Sequence, residues 1–207
     1  GDEPMNKILA IAACAVALTG AANAATFNLD FVAAAAGNER GVEGQTLSFG
    51  GLGVTLTSSH NAYLDDLSGG KPAGLGVCKV LDGNGQCNPS NDDNITDDEF
   101  VTLSFDRKVN LMGFQFYDAD QNSLSASNDR LIIDGTKFSF ADATAASFNN
   151  VMSITFKHNT GGALVDDFYL GSATAMSAVP LPAGMALMLG GLGAFGVASR
   201  RKAKAAA

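Results

Sequence analysis

Between Ala25 and Ala178 apolar side chains recur at every second residue in short runs, and Gly, Asn, Asp and Ser separate the runs. That is the period of a strand, whose successive side chains leave on opposite faces, and helical spacing is almost absent from the same stretch. Val101, Leu103 and Phe105 share one face, with Thr102 and Ser104 on the other. Phe114 and Phe116 flank Gln115 in the same way, and Met152, Ile154 and Phe156 flank Ser153 and Thr155. Further strands are expected at residues 26–31, 46–49, 54–57, 131–134, 137–140 and 167–170. Each has one wet face. About ten short strands of this kind suit an all-β fold, a two-sheet β-sandwich of jelly-roll type, with a closed barrel as the alternative. Residues 33–44 and 141–150 carry no clear period, and the second stretch has room for one helical turn. Thirteen phenylalanines and no tryptophan favour packing over the stacking of sugars.

The body from 25 to 178 is long enough for one domain with a full core. It holds 19 acidic against 8 basic side chains, a net charge of about −11. Such a surface repels phosphate backbones and anionic lipid, which argues against nucleic acid as a partner and against peripheral membrane binding. It attracts divalent cations, or simply keeps the domain soluble.

The two ends differ from the body. Met5, Asn6 and Lys7, an apolar core from Ile8 to Leu18, and the small residues Ala22 and Ala24 around Asn23 form a secretory signal peptide over 5–24, cut by signal peptidase before Ala25. Ile11-Ala12-Ala13-Cys14 has the look of a lipoprotein box, but its apolar core continues past Cys14. Gly1 to Pro4 precede a natural start at Met5 and read as a non-native extension or a misassigned start. At the other end, Val179-Pro180-Leu181-Pro182 is followed by 17 uncharged residues and then Arg200, Arg201 and Lys202. That apolar run spans roughly 25 Å as a helix, enough to cross a bilayer when arginines snorkel, and the basic cluster stays cytoplasmic.

This tail resembles the bacterial PEP-CTERM sorting signals of the VPLPA type, over 179–204 only. The resemblance implies an exosortase as partner, with Val179, Pro180, Leu181 and Pro182 as its recognition motif, and Arg200, Arg201 and Lys202 as the terminal cluster. It also implies a single transmembrane sorting helix over 179–207, held in the membrane before processing, and an exported, non-enzymatic surface or matrix protein associated with exopolysaccharide or biofilm. The segment from GLGVC at 74–78 to DDNIT and Glu99 is similar to bodies that often precede such tails, and it brings no known activity.

Cys78 and Cys87 are the cysteines left after the signal peptide is removed. In an oxidising compartment two thiols nine apart around LDGNGQ form a disulfide, closing a loop worth about 2.7 kcal/mol in the chain-entropy model. A metal thiolate site would need CxxC spacing or a nearby histidine, and neither is present.

Oxygen side chains cluster in three places. Asp118, Asp120, Asn122 and Asp129 occupy positions one, three, five and twelve of a calcium loop, although Ser123 stands where glycine turns the chain and Asp129 replaces glutamate. The competing expectation is a polar hairpin loop. Asp92-Asp93-Asn94 and Asp97-Asp98-Glu99 crowd charge before a strand, where solvation in a loop is cheap. Asp166-Asp167 opens the last strand, and by fold analogy alone Asp30 would join it around a structural calcium. Calcium is thus the one cofactor the sequence offers, and a calcium-dependent carbohydrate-binding module is the second reading of the body. Asn94-Ile95-Thr96 matches a glycosylation acceptor in form only.

No catalytic residues are expected. His60 and His158 are the only histidines, no serine stands in G-x-S-x-G, and SFGGLG and LGGLG lack the following Lys-Ser/Thr of a phosphate loop. The Asp65-Asp66 pair would have to run glycoside hydrolysis in a secreted hydrolase. Adjacent carboxylates on a strand point to opposite faces, however, and on a loop they are solvated.

Overall fold

The computed structural model describes residues 24–66, 71–125, 130–160 and 167–177. Nearly all lie in one compact unit, Ala25–Ala178. Most of the signal peptide with Ala22, the whole sorting tail from Val179 to Lys202 and beyond, Asp129 and Asp166 lie outside the described residues. Ala24 and Ala25, the two sides of the expected cleavage point, are exposed. Among the described residues no helix is long and apolar enough to cross a membrane.

The described chain is mostly strand. In order it forms β1 Thr26–Asp30, α1 Phe31–Ala35, β2 Arg40–Gly41, β3 Thr46–Phe49, β4 Leu52–Ser58, β5 Asn61–Asp65, β6 Gly74–Cys78, β7 Phe100–Asp118, β8 Arg130–Ile133, β9 Thr136–Ser139, α2 Phe140–Ala145, β10 Ser147–His158 and β11 Phe168–Ser177. Every pairing is antiparallel. One hydrogen-bonded sheet runs β2-β5-β6-β11-β7-β10-β8-β9, with β1 added to β11, and with β4 joined to β7 on one side and β3 on the other.

β7 is the spine of this sheet. Its first half pairs with β4 through Val101 to Phe105, and its second half pairs with β11 through Val109 to Asp118, while β10 runs along the other edge. The alternation expected for Val101, Leu103 and Phe105 is present: all three are buried, with Thr102 and Ser104 half-buried. Phe114 and Phe116 are buried and Gln115 is exposed, as the spacing requires. Met152 departs from its expected face and is 47% exposed, whereas Ile154 and Phe156 are fully buried. The reason is a pair of register shifts in β10, between Phe148 and Val151 and between Val151 and Ser153, because a bulge turns the next side chain out of phase.

Two hairpins close on two-residue loops in which both residues have positive φ, the geometry that matches strand twist. Gly50 and Gly51, at φ 61° and 92°, join Phe49 to Leu52, which is the structural use of SFGGLG. Asp134 and Gly135, at 47° and 79°, join Ile133 to Thr136.

The short helices are set by their caps. The Asp30 carboxylate accepts the Ala33 N–H at 2.9 Å and starts α1, so it is occupied there. The Ser139 hydroxyl accepts the Asp142 N–H at 3.0 Å and donates to the Asp142 carboxylate at 2.7 Å, starting α2 within the stretch that had room for a turn.

Phenylalanines fill the core. Phe116 meets Phe140, Phe156 and Phe168 edge-to-face at centroid distances of 5.3, 6.1 and 5.9 Å. Such pairs add about 0.5–1.5 kcal/mol each beyond the area they bury.

Candidate functional site

β5 and β6 differ from the other strands in having almost no wet face. β6 is buried at all five positions, and β5 at four of five. One face of β6 is covered by its own downstream chain. A β-carbon at Gly76 would stand 1.9 Å from the Asp93 carbonyl oxygen, so only glycine lets residues 92–94 lie down on the strand. The segment is then fastened on both sides. Val77 N–H donates to Asn94 O at 3.4 Å, and Ile95 and Phe168 exchange backbone hydrogen bonds at 2.8 and 3.2 Å. Asp93 and Asn94, expected in a solvated loop, are therefore only 5% and 6% exposed.

Asp65, at the end of β5, is also 5% exposed. It meets Asp93 and Glu39, and each of the three carboxylates has an oxygen within 4.8 Å of the other two. Glu39 arrives from the irregular chain between α1 and β2. Its Oε1 accepts the Tyr63 hydroxyl at 2.7 Å, and its carbonyl accepts Gln86 Nε2 at 2.6 Å. Tyr63 in turn accepts the Cys87 N–H at 3.1 Å. The Tyr169 hydroxyl, from β11, donates to Asp93 Oδ1.

The disulfide is part of this arrangement. Cys78 and Cys87 are bonded at an S–S distance of 2.02 Å, and together with Tyr63 they form a small buried cluster backed by Leu81. The bond closes the 79–86 loop, and Gln86 of that loop and Cys87 at its end hold Glu39 and Tyr63 in position.

The electrostatics are costly. At an effective dielectric of about 20, two unit charges less than 5 Å apart repel by about 3 kcal/mol, so three such pairs rival the stability of a whole domain. Burial pushes Asp65 up to about 7, and the charges of Asp93 and Glu39 push the same way against the Tyr169 hydrogen bond. Burial likewise pushes Asp93 up to about 6, with Tyr169 opposing. Both tyrosines are held above the ordinary phenol value, chiefly by burial. No ion pair among the described residues reaches Glu39, Asp65 or Asp93. Arg40, one residue from Glu39, spends its guanidinium on the Asn38 carbonyl at 2.7 Å.

The three carboxylates line a cavity of about 600 Å³, to which Asp66, Asn94 and Asp167 also contribute. Asp66, paired with Asp65 in sequence, accepts the Gly37 N–H at 2.6 Å. Asp167 accepts the Thr96 hydroxyl at 2.6 Å and stands 3.5 Å from His158 Nε2. His60 lies elsewhere, 3.8 Å from Glu99.

The expected calcium loop lies at the rim of the same cavity, which Ala119 and Gln121 line. Asp118 Oδ1 accepts the Asn122 backbone N–H at 2.7 Å, and the Asn122 side-chain amide donates to Asp118 Oδ2 at 3.1 Å. Asp118 and Asn122 thus satisfy each other within a hairpin loop. The Asp120 carbonyl accepts Lys71 Nζ at 3.1 Å. Asp129, the twelfth position, lies outside the described residues.

Sequence spacing grouped Asp65 with Asp66 and Asp93 with Asp92, and it did not single out Glu39. The structure regroups one member of each pair with Glu39. The signal available in sequence was the glycine of GLGVC, which marks a backbone close to another chain segment.

No protein-family model, curated protein or solved structure matches this chain. The fold and the site define an all-β, disulfide-bonded domain with an acidic cavity.

Proposed function

We propose that the chain is an exported, non-enzymatic surface or extracellular-matrix protein. In this reading signal peptidase frees Ala25, the tail holds the precursor in the inner membrane, and an exosortase acting at Val179 to Pro182 delivers it to the cell surface or medium in an exopolysaccharide setting. The observation that carries the reading is the Cys78–Cys87 disulfide inside a strongly acidic β domain. Disulfides of this kind persist in oxidising compartments and are rare in the cytosol. A single antiparallel sheet with a phenylalanine-rich core is compatible with a two-layer, jelly-roll-like sandwich. The test is expression in matched hosts with and without exosortase. A smaller, relocated product only in the first host supports the proposal, and identical size and location in both would overturn it.

A second reading is a calcium-dependent carbohydrate-binding module, favoured by the polar cavity of about 600 Å³. Calcium-dependent retention on a glycan array supports it, and no retention with calcium present removes it.

A further inference from the structure

We propose that Glu39, Asp65 and Asp93, with the side chain of Asn94, form a binding site for a hard divalent cation, calcium by the chemistry of its donors. The inference deepens the second reading by giving it a cation centre. It is tested without any glycan, so loss of one does not decide the other.

Convergence is the first ground. Three carboxylates from separate parts of the chain come within 4.8 Å of one another, and two of them are 95% buried. No side-chain cation compensates them among the described residues.

Asn94 supplies an independent ground. It lines the same cavity, it is 6% exposed, and among the described residues its side-chain amide has no hydrogen-bond partner, although its backbone carbonyl has one. The amide is open to the cavity it lines, so it is available to a ligand there. The amide oxygen is a common calcium donor.

The carboxylates are also oriented as metal ligands usually are, by hydrogen bonds from behind. Tyr63 donates to Oε1 of Glu39 and Tyr169 to Oδ1 of Asp93, so each carboxylate is held through one oxygen by a tyrosine. The donor set is all oxygen, with no His or Cys, which disfavours zinc. Calcium accepts six to eight oxygens in flexible geometry, whereas magnesium demands a stricter octahedron. The open cavity has room for the waters that complete such a shell.

The experiment is calcium titration of the full-length chain, stripped with chelator and then freed of it, read by calorimetry and by thermal melting. The expected result is one calcium per chain and a melting temperature that climbs with calcium. Asp65→Asn and Asp93→Asn should each weaken binding at least tenfold, and Asp118→Asn should leave it unchanged. In chelator the two Asn variants should melt no lower than the parent, an outcome that a purely structural role would not give. A measurement free of folding defects uses terbium on the parent chain. With no tryptophan present, emission sensitised by the neighbouring tyrosines and displaced by calcium supports the site. No heat, no melting shift and no sensitised emission would overturn it, as would binding lost in Asp118→Asn and kept in Asp65→Asn.

Discussion

Gly76 lies under the carbonyl of Asp93 so closely that the strand and the acidic segment share the space a single methyl group would fill. The glycine in the middle of β6 is therefore the seat of the carboxylate cluster. Gly76→Ala should lower stability by about 1–3 kcal/mol through overpacking, and it should also weaken calcium binding by lifting Asp93 away from Asp65. Denaturant unfolding and the calcium titration check the two effects on one sample. Full stability with intact binding would show that the backbone does not need this contact.

Opening the disulfide should act at a distance. The replacement of Cys78 and Cys87 by Ala is expected to cost about 2–3 kcal/mol through the freed ten-residue loop. It should also loosen Glu39, because Gln86 and Cys87 hold Glu39 and Tyr63 from that loop. The check is a calcium affinity that falls in the double variant while Asp65 and Asp93 are untouched.

Phe116 stands among Phe140, Phe156 and Phe168 and is 1% exposed. Phe116→Ala should destabilise the domain by about 3–5 kcal/mol, as large aromatic truncations in packed cores do. Chemical denaturation at neutral pH measures it, and a loss below 1 kcal/mol would mean that the cavity collapses.

Glu99 gives a pH dependence independent of the cavity. It is 2% exposed, and burial holds it above the ordinary glutamate value of 4.5 in spite of the Thr96 N–H and nearby Lys79. The folded-state value thus exceeds the unfolded one, so its contribution is fully present below the unfolded value and is lost as pH rises through the folded one. Glu99→Gln keeps an acceptor for Thr96 and removes the charge. The variant should gain on the parent as pH climbs above 4.5, with the difference closing in acid. Melting curves from pH 4 to pH 8 measure the trend, and a constant difference would contradict it.

Strands with one wet face were legible in the sequence. Thr46–Phe49 was read at its observed bounds, and the alternation from Val101 to Phe105 placed the right side chains in the core. β5 and β6 were not legible, because NAYLD and GLGVC are covered on both faces and alternation disappears when neither side meets water. The candidate site is built on those two strands, so the same cause hid both. Asp65 and Asp93 read as solvated acids because burial of a carboxylate is set by what packs over it, here residues distant in sequence. Glu39 belongs to a stretch without period that leads into a two-residue strand. The GLGVC and DDNIT segments, separated by the disulfide loop, carry the contact between Gly76 and Asp93, which gives their joint presence a steric reason.

β1 and β11 are neighbours along their whole shared length, from Thr26 opposite Met176 to Asp30 opposite Ser172, and Ser177 N–H donates to the Ala25 carbonyl at 2.8 Å. Both ends of the domain therefore emerge together at one pole. A pull on Ser177 enters β11 lengthwise and is resisted in shear by β1 and β7 together, the loading direction in which many backbone bonds must fail at once. Tyr169 stands eight residues up the same strand, about 25 Å from that pole at ordinary strand rise. The end of β11 that reaches the acidic cavity is therefore the one opposite the paired ends Ala25 and Ser177.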